Sequence, residues 1–151
     1  MHCWWQILVA TLAYWMVGSI WFTPKVFGKI WQKSHQLPEL NDEAMKEAMK
    51  KMPVMMVKSF LSSLLICTSL CYFMCSSNCC VQCTGPAMCM PIMMHNLKIA
   101  LLLGIATIGG AMSMGYIYQQ KPIAAYLVDI GYHVVSLIIA SAVLHLLCSH
   151  I

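Results

Sequence analysis

Residues 123–148 read IAAYLVDIGYHVVSLIIASAVLHLLC, an apolar run whose only charged side chain is Asp129. A helix needs about 20 such residues to cross roughly 30 Å of hydrocarbon, so this segment is long enough to span a bilayer. A strand in the same place would leave backbone groups unpaired at several kcal/mol each, which makes the helix the workable structure. Three further stretches are free of Asp, Glu, Lys and Arg, or nearly so. They place spans at about 4–22, 59–77 and 99–118, giving four with 123–148.

Composition agrees with that reading. Of 151 residues, 60% are hydrophobic and 9% charged, against about 45–50% and about 25% in a soluble domain. Nine Lys and five acids cannot cover a soluble surface of this size. The expected fold is therefore all-α, an integral membrane four-helix bundle forming one domain over 1–151, with the lipid bilayer as its first partner. The first span lacks a basic residue ahead of its apolar run and has no A-x-A site, so it reads as a retained helix, not a signal peptide. Trp4, Trp5, Trp21 and Phe22 stand at its two ends, where amphipathic rings prefer the headgroup layers.

Seven of the nine lysines fall between Lys25 and Lys58, and no Arg is present. No aromatic residue is interleaved with the Lys46–Lys51 cluster, which excludes nucleic acid as a partner. In a four-span arrangement the first and third connections share a side and hold eight Lys, while Lys98 stands alone opposite. The positive-inside rule then puts the lysine-rich connection inside, and both termini and the cysteine-rich connection outside. Which membrane is involved is not legible. Within the first connection, Asn41 as N-cap and Asp42 and Glu43 in the first turn predict an amphipathic helix over about 42–52, closed by a break at Pro53. Met45, Met49 and Met52 share one face, suited to lie on the membrane or to dock a partner.

Asp129 is the acid that stands apart from this pattern. His133 and Ser136 follow at i+4 and i+7, close to one face, with Tyr132 beside them. Intramembrane ionisable groups are costly and point into the protein. Two readings stay open: a binding or proton site built on Asp129 and His133, or a polar clamp at the inner interface, level with Thr23 and Lys25. The spaced pairs Ala100/Gly104, Ala106/Gly110 and Ala111/Gly115 predict close helix packing, inside the bundle or in a homo-oligomer or larger membrane complex. His2, His145 and His150, at the outer ends, are expected to be solvated.

Trp21-Phe22-Thr23-Pro24, then Phe27-Gly28-Lys29 and Trp31, with Gly18 ahead of them, resemble the W-[YF]-[ST]-P-x-x-F-G-x-x-W signature of a membrane-protein family, domain of unknown function 1761. Asp129-Ile130-Gly131-Tyr132-His133 resembles its second segment, at the start of the last helix. The resemblance implies a small four-helix membrane protein and no activity. Together with the topology it brings Trp21, Thr23, Lys25, Asp129, Tyr132, His133 and Ser136 to one inner end as a candidate site.

Sulfur sets this chain apart from that family. The chain has nine Cys and fourteen Met, and four of each lie in the short connection between the second and third spans. Soft donors select Cu(I), and Cys79, Cys80, Cys83, Cys89 and His95 form a conceivable copper site. The plainer reading is buried thiols or disulfides. No nucleophile elbow, phosphate loop or zinc-protease motif is present, and no enzyme activity or other cofactor is expected. The topology predicts that an impermeant thiol reagent labels the 79–89 connection in intact cells. Labelling only after permeabilisation would reverse the orientation.

Overall fold

The computed structural model describes residues 4–34, 42–76 and 86–149, and every element among them is helical. The helices are α1 (Trp4–Trp21), α2 (Gly28–Ser34), α3 (Asp42–Ser76), α4 (Pro86–Leu102), α5 (Gly110–Tyr118) and α6 (Ile123–Ser149). A π-helical stretch, Leu103–Gly109, joins α4 to α5 without interruption. Among the described residues the chain therefore makes five rods where four spans are expected. The additional one is α2, a short helix after Pro24 that apolar periodicity does not announce.

Among the described residues, three segments are long and apolar enough to cross a membrane: Met52–Met74, Met90–Tyr118 and Ile123–Leu147. The expected count of four is not reached because α1, although 18 residues long, carries four tryptophans, Gln6 and Tyr14, which dilute its hydropathy. The expected boundaries also shift. The amphipathic helix and the second span are one helix, α3, which runs through Pro53. Proline removes one backbone donor and costs about 3 kcal/mol inside a helix, but the Met-, Lys-, Ala- and Glu-rich flanks favour helix strongly enough to continue past it. The third rod begins at Pro86, well before residue 99, and passes through Pro91. Proline suits a helix start, where its missing N–H has no intrahelical partner anyway. Asn41, the expected N-cap, lies outside the described residues.

α1 and α6 run antiparallel along each other and carry the core with α3 and α4: Tyr14 and Ala10 of α1, Cys67, Leu70 and Met74 of α3, Ala100 of α4, and Leu137, Ala140 and Leu144 of α6. Cys67 and Cys71 are both buried in this core.

The π-helical stretch has a packing cause. Residues five apart on an α-helix are turned about 140° from each other, yet Gly104 and Gly109 are both buried against α6. Widening the turn to i→i+5 brings both to the same side. A Cβ on Gly104 would meet Val134 Cγ2 at 3.0 Å, and one on Gly109 would collide with Ile130 Cδ1. Of the small-residue pairs, Ala100/Gly104 is thus used internally, while Ala106, Gly110, Ala111 and Gly115 face outward.

The turn after α1 is equally constrained. Gly28 N–H donates to Thr23 O at 2.9 Å, and a Cβ on Gly28 would stand 2.7 Å from the Thr23 carbonyl carbon, with the Phe22 carbonyl oxygen closer still. Both neighbours are backbone and cannot rotate away. Gly28→Ala is therefore expected to cost about 2 kcal/mol or more in unfolding measurements. Gly110→Ala, with nothing within 4 Å of the added methyl, should be neutral or stabilising by up to about 1 kcal/mol.

Candidate functional site

Pro24 stops α1 and the turn returns the chain, so α2 folds back against α6. The two motif segments meet there. Trp21 Nε1 donates to Val128 O at 3.1 Å, and its ring lies 3.2 Å from where a Cβ on Gly131 would stand. Trp21 also stacks on Phe27 with centroids 4.5 Å apart, and Phe22 meets Trp31 edge-on at 5.7 Å. Trp31 Nε1 donates to Asp129 Oδ1 at 3.0 Å, and the Tyr116 hydroxyl of α5 donates to Asp129 Oδ2. Both carboxylate oxygens thus accept a donor from a different helix, and Asp129 ties α2, α5 and α6 together. Charge-assisted bonds of this kind are the stronger ones.

One turn further along α6, His133 has a different partner. The Tyr14 hydroxyl lies 2.5 Å from His133 Nδ1; with the phenol as donor, the ring proton sits on Nε2. Tyr132 packs edge-on against Tyr14 at 5.6 Å and against Phe22 at 5.3 Å, and Gly18 leaves room for its ring, a Cβ there falling 3.0 Å from Tyr132 Cε2. Asp129 and His133 share a helix face but serve separate contacts. Ser136 is fully buried, one turn beyond Tyr132. Thr23 and Lys25 stand apart: Thr23 Oγ1 caps Ile20 O at 2.8 Å and Lys25 is exposed.

A cavity of about 400 Å³ opens between α1, α3 and α6, at the Tyr14–His133 pair. Its walls are aromatic (Trp15, Phe22, Tyr132) and hydroxylic (Ser19, Ser59, Ser62, Ser63), with Met56 and Ile66, and no acid or lysine among the described residues lines it. Trp15 Nε1 donates to Ser59 Oγ at 2.9 Å, and Ser63 Oγ donates to Ser59 O at 2.9 Å. That volume lies within the range of small-molecule sites. Tyr14, the α3 serines and Tyr116 are missing from the sequence reading; the signal available was their polarity inside apolar runs.

At the far end of α6, His145 is buried, not solvated as expected of a terminal histidine. The Asn96 amide of α4 donates to its Nδ1 at 3.4 Å, and Gln6 Nε2 donates to Leu147 O at 3.2 Å. Of the copper residues, Cys79, Cys80 and Cys83 lie outside the described residues, the Cys89 side chain does too, and His95 is exposed on α4.

The family model described as "Protein of unknown function (DUF1761)" matches residues 5–145. The chain belongs to this family. No curated protein and no solved structure matches it. In this DUF1761 member, the Trp21–Trp31 and Asp129–His133 segments are two sides of one interface. Asp129→Ala, which strands both donors, should cost about 3 kcal/mol in unfolding. A double-mutant cycle with Trp31→Phe should return a coupling of about 1–2 kcal/mol, whereas additive effects would show that the bond contributes nothing.

Proposed function

We propose that this protein is a four-span membrane protein that binds a small molecule in the cavity between α1, α3 and α6. The observation that carries the reading is that cavity, with the Tyr14–His133 pair in its wall and no acid or lysine among the described residues lining it. Its aromatic faces suit an apolar ring or chain, while the serine oxygens and His133 offer hydrogen bonds to a polar end. The preferred occupant is therefore a small, largely apolar, uncharged molecule. Asp129 takes the clamp role of the two readings, because both its oxygens are engaged by Trp31 and Tyr116 away from the cavity.

The case for α1 as the fourth span rests on its partner. Contacts with α6 recur from Gln6–Leu147 through Tyr14–His133 to Trp21–Val128, so α1 follows nearly the whole length of a helix that is itself long enough to cross. Its 18 residues extend about 27 Å. With four spans, the lysine-rich side is inside and the termini are outside. The outward Gly110, with open space beside it, favours a second role as a subunit that packs against another membrane helix.

A thermal-stability screen of purified protein with small uncharged compounds tests the binding reading. A compound at one hundred times its Kd adds about 2.7 kcal/mol. That gain should vanish in Ser62→Trp, which fills the cavity from its exposed wall. Equal stabilisation of the filled variant would place binding elsewhere.

A further inference from the structure

The turn between α5 and α6 holds a cation over a second groove. Gln120 adopts φ 51°, a left-handed conformation that few side chains other than glycine take up readily. Gln119 N–H bonds Gly115 O and Lys121 N–H bonds Tyr116 O, both at 3.1 Å, which closes the end of α5 and folds Lys121 back. The Lys121 ammonium comes to lie 5.5 Å from the Tyr116 ring centroid. Tyr116 cannot swing away easily, because its hydroxyl is held by Asp129.

Beneath that ammonium lies a groove of about 270 Å³ formed by Ser113, Tyr116, Ile117, Ile123 and Tyr126. The three hydroxyls in it already donate elsewhere: Ser113 to Gly110 O at 2.7 Å, Tyr126 to Gly109 O at 3.1 Å, and Tyr116 to Asp129. The donors left for an occupant are those of the Lys121 ammonium, and among the described residues no carboxylate lines the groove to neutralise it. Ile117 and Ile123 are 68% and 74% exposed. They sit at the adjoining ends of two segments apolar enough to cross a membrane, so the groove begins at a cation and continues along apolar side chains.

We infer that this groove binds one anionic phospholipid, its phosphate on the Lys121 ammonium and an acyl chain along Ile117 and Ile123. Charge complementarity selects this occupant: a lipid phosphate satisfies the cation while the chain covers the isoleucines, whereas an apolar helix would cover the isoleucines and leave the ammonium unpaired.

The test uses full-length protein reconstituted in bilayers of equal parts phosphatidylcholine and phosphatidylglycerol, then extracted into mild detergent, with retained lipid measured by mass spectrometry. Wild type should retain phosphatidylglycerol in preference to phosphatidylcholine. Lys121→Gln should lower that preference roughly fivefold, the factor one lysine near an anionic surface supports. Lys121→Arg should keep it, as should Lys98→Gln on α4. Ile117→Trp, which fills the groove and leaves the charge, should also abolish retention, which covers the case of a Lys121→Gln protein that fails to fold. Soluble glycerol phosphate should not displace the lipid. Full displacement would mean that the site reads free phosphate and would overturn the lipid assignment, as would a wild type without preference or an unchanged preference in a folded Lys121→Gln protein.

Discussion

The rest of the structure depends on one constraint: a carboxylate placed in an apolar helix has to find its donors inside the protein. An intramembrane acid without partners costs several kcal/mol, and Asp129 avoids that cost through Trp31 and Tyr116. Those two bonds dictate geometry well beyond the acid. Trp31 reaches Asp129 because Pro24 ends α1, Gly28 lets the turn close on itself, and α2 folds back against α6. Tyr116 reaches it because the π-helical stretch keeps Gly104 and Gly109 against α6 and so sets the line that α5 follows.

The same constraint recurs along α6. His133 is met by Tyr14 and His145 by Asn96, so the acid and both histidines of this helix each have a named partner on a neighbouring helix. These contacts fall at different depths and join α6 to different helices, which fixes rotation as well as spacing. Apolar packing alone specifies helix rotation weakly in lipid, where leucine is no worse off against acyl chains than against another helix. The cavity follows from this arrangement: Tyr14 and Tyr132 hold α1 and α6 together by polar and edge-on contacts, and the serine side of α3 faces them without filling the space.

Much of this was legible in the sequence. Four apolar stretches, the two motif segments and their meeting at one end can be read from hydropathy, charge and resemblance. Thr23 and Lys25 were included in the candidate site by depth alone, and depth does not say which way a side chain turns. Tyr14 and Tyr116 were missed because an aromatic hydroxyl inside an apolar run looks like core until its partner is known. A break at Pro53 is the ordinary expectation for proline, but flanking propensity and the need to pair the backbone prevail there, and the start at Pro86 is hidden because the charge-free run of the third span begins only after Lys98. The π-helical stretch has no sequence signature beyond the two glycines it serves. His145 is near the end of the last helix, yet nearness to a helix end does not imply exposure, because α4 and α1 cover that end.

The central claim, that Asp129 is held between α2 and α5, is tested most directly by solid-state NMR of the protein in bilayers. The account predicts a through-space correlation between the Trp31 indole nitrogen and the Asp129 carboxyl carbon, with slow exchange of the indole proton. An indole proton exchanging at the rate of exposed tryptophan, with no such correlation, would contradict it.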